Sequence, residues 1–470
     1  MKATVATNQT NYNPKVCGIE ATDENLSSRG GLVLFTKYVE SLAITGLLSE
    51  QFSRLRKNGK GAKLEELFKQ VLCFFADGTD FSMTRFDVLQ RDPGYAGVIE
   101  SRPNELVSSH TAKRFFKAFG LVCTPVFRRI LRRLFIWRLK IERPDKIEIT
   151  IDSMVMNNDD ALKRHGVQPT YKKVKGFQPL HAIWDGRIVD AVFRGGKKNG
   201  NAGSTVALMA RELVRLIRQE YDAQTMIVFR LDAGFFDQEN FKAFDELKVG
   251  FICSGKMYDD VKDSVAAIPA KEWREFQTEK KTWQYAEWSY QAGSWEKGYR
   301  AIYTRLVNDE TGQGVLEFAR PENVIVTNLR EQEPAFERYT KAQVSELACA
   351  ETIIASHHQR GADELPHRGI KDFGTQQLPF KRFAPNSAYY YLMVIAYFLF
   401  CCFKRDVIAE THPELAQAYA TTVRRKLIDV AARLIRRGRQ TFLKVARTVF
   451  NTLKLHELWA RTIACPAVPI

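Results

Sequence analysis

Two short runs that each close on an aspartate constrain this fold more than any other feature. The run Ile147-Glu148-Ile149-Thr150-Ile151-Asp152 alternates and is rich in β-branched residues. The run Met226-Ile227-Val228-Phe229-Arg230-Leu231-Asp232 is a mostly apolar block, followed by Ala233-Gly234 and a helical pattern. Short continuous apolar blocks read as buried strands, covered on both faces. In open α/β sheets ligands collect at the carboxyl ends of such strands. A single aspartate there is more often a turn or helix-cap residue. Two of them predict an α/β chain with a mixed sheet and a pair of carboxylates at the strand ends.

A third carboxylate stands in the stretch from His357 to Lys371. Arg360 precedes Glu364 by four residues and Lys371 follows it by seven. On an α-helix those offsets share one narrow stripe. A carboxylate flanked by two cations suits a site holding a metal and a phosphate together: the carboxylate ligates a hard divalent ion, and Arg and Lys take the phosphate oxygens. The plainer reading of this stretch alone is a solvated face with an Arg–Glu pair. Pro366 and Gly369 interrupt the helical pattern, so the helix is expected to start near Asp363 with Arg360 reaching in from a loop. With Asp152 and Asp232, Glu364 completes a candidate three-carboxylate metal site, and oxygen-only ligands suit Mg2+ rather than zinc.

These motifs, in this order, resemble the DDE transposases of bacterial insertion sequences, and among them the group 1, insertion-sequence-1380-like branch. That branch has a Tyr-x2-Arg-x3-Glu-x6-Lys signature and a β-rich insertion before the final Glu. Arg360, Glu364 and Lys371 match the signature spacing, and Asp152 and Asp232 match the first and second catalytic Asp. The phrase Arg230-Leu231-Asp232-Ala233-Gly234-Phe235-Phe236 resembles the motif around the second Asp. Leu378-Pro379-Phe380, Phe383, Asn386 and Ala388-Tyr389-Tyr390 resemble the run that the family carries after its Glu. His357 departs from the pattern, standing where the family has a Tyr that touches the DNA backbone, although an imidazole still offers a donor. The resemblance implies an α/β ribonuclease-H-like catalytic core interrupted by a β-rich insertion, with helical N- and C-terminal regions. It implies two Mg2+ ions (Mn2+ as a substitute) on Asp152, Asp232 and Glu364, and DNA contacts from Arg360, Lys371 and His357. The partners implied are double-stranded DNA, as terminal inverted repeats and target, and a second copy of the chain. The chemistry implied is cleavage at the element ends and strand transfer, by cut-and-paste movement.

Composition agrees. A chain of 470 residues has room for two to four domains. Its 70 Lys and Arg against 54 Asp and Glu give a net charge of +16, which favours a polyanionic partner, nucleic acid before an anionic membrane. Eight Cys are scattered with no Cys-x2-Cys pair, which argues against a zinc site or disulfide framework and suits a reducing cytosol. The polar first eleven residues do not read as a secretory signal, so a bacterial cytoplasmic location is expected.

Along the chain, residues 1–145 read as a helical DNA-binding region. One helix is expected from Gly30 to Leu48 and others at Leu64–Phe75 and Ser82–Leu89. The stretch Asn104–Phe119 fits either a helix-turn-helix reader or a plain bundle. A basic helix spans Phe127–Lys140, and Pro144 marks the boundary. Residues 146–260 form the first part of the core. It carries a lysine loop (Lys172, Lys173, Lys175) offered to DNA, a hairpin at Asp185-Gly186, a helix capped by Ser204, and a strand–helix–strand unit through Asp232. Residues 261–335 look like four strands, Trp283–Tyr290, Tyr299–Val307, Val315–Arg320 and Asn323–Leu329, with a turn at Asp309–Gly312. Trp295 among them suits packing or stacking on a base. Residues 336–385 carry the final Glu. In the basic C-terminal region, 386–470, Ala388–Phe403 is too short for a membrane span and reads as a core helix. The segment Arg424–Lys454 reads as a helix whose Leu427, Ile428, Leu434 and Ile435 share an apolar face. Its charge favours DNA and its apolar face favours packing. Two other readings stay open on the residues: a ribonuclease-H-fold structure-specific endonuclease, and a non-catalytic DNA-binding protein.

Overall fold

The computed structural model describes residues 15–16, 18–55, 61–198, 202–278, 281–308, 321–331, 336–337, 339–465 and 467–468, and the backbone but not the side chains of 360–364. The chain opens with helices. The stretch expected as one helix from Gly30 to Leu48 is two, α1 (Leu32–Ser41) and α2 (Ile44–Gln51), bent by 60°. The break falls at Ala43, whose φ of 54° is left-handed and cannot continue a helix. There follow α3 (Leu64–Asp77), α4 (Ser109–Ala118) and α5 (Thr124–Glu142). The Ser108 hydroxyl caps α4 by accepting from the Thr111 amide at 3.3 Å, and Pro125 sits in the first turn of α5, where its missing N–H costs no helix bond.

Past Pro144 the chain builds a sheet. The long strand β1 (Lys146–Ser153) pairs antiparallel with β2 (Leu180–Trp184), which returns as β3 (Arg187–Val192). Asp185 and Gly186 both have positive φ, as a two-residue type I′ hairpin turn requires. On its other side β1 runs parallel to β4 (Met226–Leu231), and β4 parallel to β5 (Gly250–Ser254). The five strands therefore lie in the order β3-β2-β1-β4-β5. Helices α6 (Thr205–Leu216) and α7 (Gln238–Glu246) make the crossovers. Ser204, expected to cap α6, adopts a left-handed φ of 53° and makes no cap bond.

The continuous apolar character of β4 has a direct cause. Phe229 stacks on Phe244 of α7 with ring centroids 5.0 Å apart, while Met226 and Val228 join the opposite cluster with Ile353 and Ile354 of α8 (Ala350–His358). Both faces are covered, so both need apolar side chains. The strands expected between residues 261 and 335 do not form a sheet of their own. The strands β6 (Arg274–Gln277), β7 (Thr282–Tyr290), β8 (Tyr299–Asn308) and β9 (Glu322–Thr327) extend the same sheet through antiparallel pairing of β9 with β5. Among the described residues the sheet has nine strands. The expected turn at Asp309–Gly312 and strand Val315–Arg320 lie outside the described residues. Trp295 packs into Phe236, Phe241, Tyr290 and Tyr299, so its ring serves the core of this unit.

After α9 (Arg360–Phe373) comes α10 (Phe383–Phe403), the helix on which the two halves meet. Nearly every side chain of α10 is buried, against α3, α4, α5 and β3. Each fully buried Leu, Ile or Phe contributes about 1.5–3 kcal/mol, so an all-round apolar helix belongs in the middle of a core. Among the described residues no single helix is long and apolar enough to cross a membrane.

The same junction holds a buried ionic cluster. Glu142, at the end of α5, accepts from Arg187 of β3 at 2.5 and 3.0 Å and from Arg138 at 2.6 and 2.9 Å, and Arg405 beyond α10 approaches at 3.1 Å. Arg138 also bonds Asp406 at 2.8 and 3.0 Å. The C-terminal segment is the clearest correction. It is not one helix from Arg424 to Lys454 but a hairpin, β10 (Ala432–Arg437) and β11 (Gln440–Val445), in a separate small sheet with the two-residue strand Leu26–Ser27.

Candidate active site

The two aspartates meet through sheet register. β1 and β4 run parallel with Thr150 beside Arg230 and Ile151 beside Leu231, so the next residues, Asp152 and Asp232, stand side by side at the carboxyl ends. Neighbouring strands lie about 4.8 Å apart. Alternation puts both side chains on the face shared by Thr150 and Arg230. Arg230 Nε donates to Thr150 Oγ1 at 3.2 Å and its Nη1 to the Ser356 carbonyl of α8 at 3.3 Å, which ties this face to the helices carrying the signature.

Asp152 Oδ1 accepts from the Ser153 amide at 2.6 Å, and its Oδ2 lies 3.5 Å from His367 Nδ1 on α9. His367 Nε2 lies 3.0 Å from Nδ1 of His181, the cross-strand partner of Asp152 on β2, and His181 Nε2 meets the Tyr390 hydroxyl of α10. Burial, then the charges of Lys371 and Lys172, lowers the His367 pKa to about 4. Burial first, then His367 and Arg194, lowers that of His181. Both rings are therefore neutral, and one tautomer set satisfies every contact. The Tyr390 hydroxyl donates to His181 Nε2, His181 Nδ1–H donates to His367 Nε2, and His367 Nδ1–H faces the Asp152 carboxylate. The donors all point toward the aspartate.

Of the residues expected at the site, Asp152 and Asp232 are neighbours by register, and Lys371 and Lys172 lie close enough to His367 for their charges to act on it. Lys371 is half-buried, and burial followed by the charge of Lys172 lowers its pKa. Lys173 and Lys175 are exposed on the same loop as Lys172. The backbone of α9 is helical from Arg360 onward, not from Asp363, so Arg360, Glu364 and Lys371 occupy one helical stripe. The side chains of Arg360 and Glu364 lie outside the described residues. His357 is only 8% exposed, with Nε2 2.9 Å from Ser254 Oγ. Among the described residues no group of three or more His, Cys, Asp or Glu side chains converges to hold a metal. The sequence reading missed His181, His367 and Tyr390. One signal was available for His181, a lone polar residue in the apolar run Leu180–Trp184, and one for His367, three residues after Glu364 on the same helix.

Paired carboxylates at the ends of adjacent parallel strands, beside the helix that carries His367 and Lys371, make this the candidate active site. The family model for the transposase DDE domain, group 1, matches residues 10–464, and the chain belongs to that family. Among curated proteins none matches the chain. Among solved structures it is similar to a piggyBac transposase in a synaptic complex with hairpin DNA, studied by cryo-EM. The identity is 12% and the TM-score 0.41, over 95% of this chain and 85% of that one.

Proposed function

We propose that this chain is the transposase of a bacterial insertion sequence, of the insertion-sequence-1380-like branch, acting in the cytoplasm as a homodimer on DNA. It cuts at the terminal inverted repeats and joins the freed 3′ ends to target DNA, in a cut-and-paste reaction. The observation that carries the reading is the register that sets Asp152 beside Asp232, in a chain of the DDE family. The strand order β3-β2-β1-β4-β5, with an antiparallel hairpin at one side and parallel strands at the other, supports a ribonuclease-H-like core. In this reading 1–145 is the helical DNA-binding region, 146–260 and 336–385 are the two parts of the core, 261–335 is the insertion and 386–470 the C-terminal region.

The residues fit hard divalent cations. Asp152 and Asp232 offer carboxylate oxygens on one face, and Glu364 stands on the helix that carries His367 and Lys371. Two Mg2+ ions, or Mn2+ in their place, when bound supply an activated water and charge stabilisation at phosphorus. The chain's own groups hold and orient. Lys371 and Lys172, with Arg360, neutralise the phosphate, and the Tyr390–His181–His367 chain aims the Asp152 carboxylate. Outer contacts of this kind are worth about 10- to 100-fold in metal affinity. His367→Gln is therefore expected to raise the Mg2+ concentration for half-maximal cleavage by about that factor while DNA affinity stays unchanged. A metal titration of cleavage beside a binding isotherm checks it.

The test of the function is Mg2+-dependent cleavage of a plasmid carrying the element's own terminal repeats. Cleavage at the repeat ends followed by joining to a second DNA is the expected result. Cutting that follows DNA structure and never joins would identify an endonuclease instead, and specific binding without cleavage in any metal a non-catalytic binder.

A further inference from the structure

The C-terminal hairpin is built like a probe. Register alternates its side chains: Ala432, Leu434 and Leu443 lie on one face, and Arg433, Ile435, Arg437, Phe442 and Lys444 on the other. The first face is anchored. Leu434 packs so closely on Gly97 that a Cβ there has no room, and Ala432 and Leu443 close over Gly30. The Leu434 amide donates to the Asn25 carbonyl at 2.9 Å, and Leu26 pairs with Arg433. The tip is bare. Arg436, Arg437, Arg439, Gln440 and Thr441 are exposed, and Phe442 is 43% exposed with the Arg437 guanidinium 5.8 Å from its ring centroid. Gly438 has a φ of 61° at the first central position of a two-residue turn, the II′ geometry that keeps a two-stranded ribbon tight and twisted.

Cations on an exposed strand edge often serve only to prevent edge pairing. Charge of either sign does that, whereas from Ala432 to Thr452 this chain carries six cations and no carboxylate. A rigid two-stranded ribbon matches the width of the DNA major groove, and Arg forms two parallel hydrogen bonds to a guanine edge or a phosphate.

We propose that the hairpin at Arg437-Gly438-Arg439 enters the major groove of duplex DNA, with Arg436, Arg437 and Arg439 contacting phosphates and base edges. The proposal rests on the reading of the chain as a DNA transposase and gives it a DNA contact on a sheet separate from the one bearing Asp152. The test compares the full chain with Arg436→Gln/Arg437→Gln/Arg439→Gln, all at exposed positions. Binding to an end-repeat duplex is followed by fluorescence anisotropy across a salt series, with guanine N7 methylation interference on the same complex. The expected result is at least about tenfold weaker binding by the variant and a log–log salt slope shallower by about 2 to 3. Methylation interference is lost at one cluster of guanines, and the thermal unfolding curve is unchanged. If the wild type binds DNA and the variant matches it in affinity and slope, the inference is overturned and the function stands. If the wild type binds no DNA, both fall. Loss of self-association in the variant with DNA affinity retained also overturns the inference, assigning the hairpin to a subunit contact.

Discussion

Asp232→Asn is expected to abolish cleavage at the element ends while end binding stays at the wild-type level. Asn keeps the shape of the side chain and removes the charge that a hard divalent ion requires. Asp232 follows β4 directly and stands beside Asp152, so the change strikes the pair itself. The fold should not suffer: the residue is half-buried, and removing one of two adjacent carboxylates relieves repulsion when no cation lies between them. A loss of at least ~10³ in rate, about 4 kcal/mol in the barrier, is expected, and Asp152→Asn should match it. The measurement is single-turnover cleavage in Mg2+ with a parallel binding isotherm. A mutant that still cuts sinks the assignment of this site.

The second large effect lies away from the chemistry. Glu142→Ala is expected to destabilise the protein by about 3 kcal/mol, because it removes the carboxylate that two buried guanidiniums share. It leaves Arg138 only Asp406 and Arg187 only the exposed Asp185. Arg138 and Arg187 have side chains only 2% exposed, and Glu142 bonds both while joining α5 to β3 and the end of α10. Urea unfolding of the variant should show a lower midpoint with similar slope. Acid gives an independent check. Burial pushes the Glu142 carboxyl up, but hydrogen bonds and charge from Arg187 and Arg138 outweigh it and hold the pKa below its ordinary 4.5. A depressed carboxylate contributes stability that is present above the unfolded pKa and lost as pH falls through the folded one. The stability difference between the wild type and Glu142→Ala should therefore narrow as pH falls below the ordinary 4.5 and be largest near neutrality. A difference that persists unchanged into acid would assign the loss to packing alone.

Legibility from sequence varied with the range of the interaction that decides each element. The strands before Asp152 and Asp232, the Asp185-Gly186 turn and the buried α10 were readable because local pattern and tertiary role agree there. Gly30 to Leu48 was misread because apolar spacing continues across Ala43, and only the left-handed turn redirects the second helix. The C-terminal hairpin was misread because Leu427, Ile428, Leu434 and Ile435 suit helical spacing as well as two unrelated short pieces, an ambiguity inherent in brief apolar runs. The Gly438 between two arginines was the overlooked turn signal. His357 was named only from its place in the signature, and no local pattern showed that the end of β5 covers it with Ser254.

By itself the sequence determined the strands that lead to Asp152 and Asp232, the Asp185-Gly186 hairpin, the carboxylates that close two of the strands, and the family to which those motifs belong. Those are properties of neighbouring residues, set by side-chain alternation and backbone preference. Only the tertiary structure decided that Asp152 stands beside Asp232 and that Tyr390, His181 and His367 line up behind Asp152. It also decided that Glu142 gathers arginines from α5, from β3 and from beyond α10. Each of these joins residues far apart in the chain through sheet register and helix docking, and no local pattern encodes which distant partner a buried polar group will find.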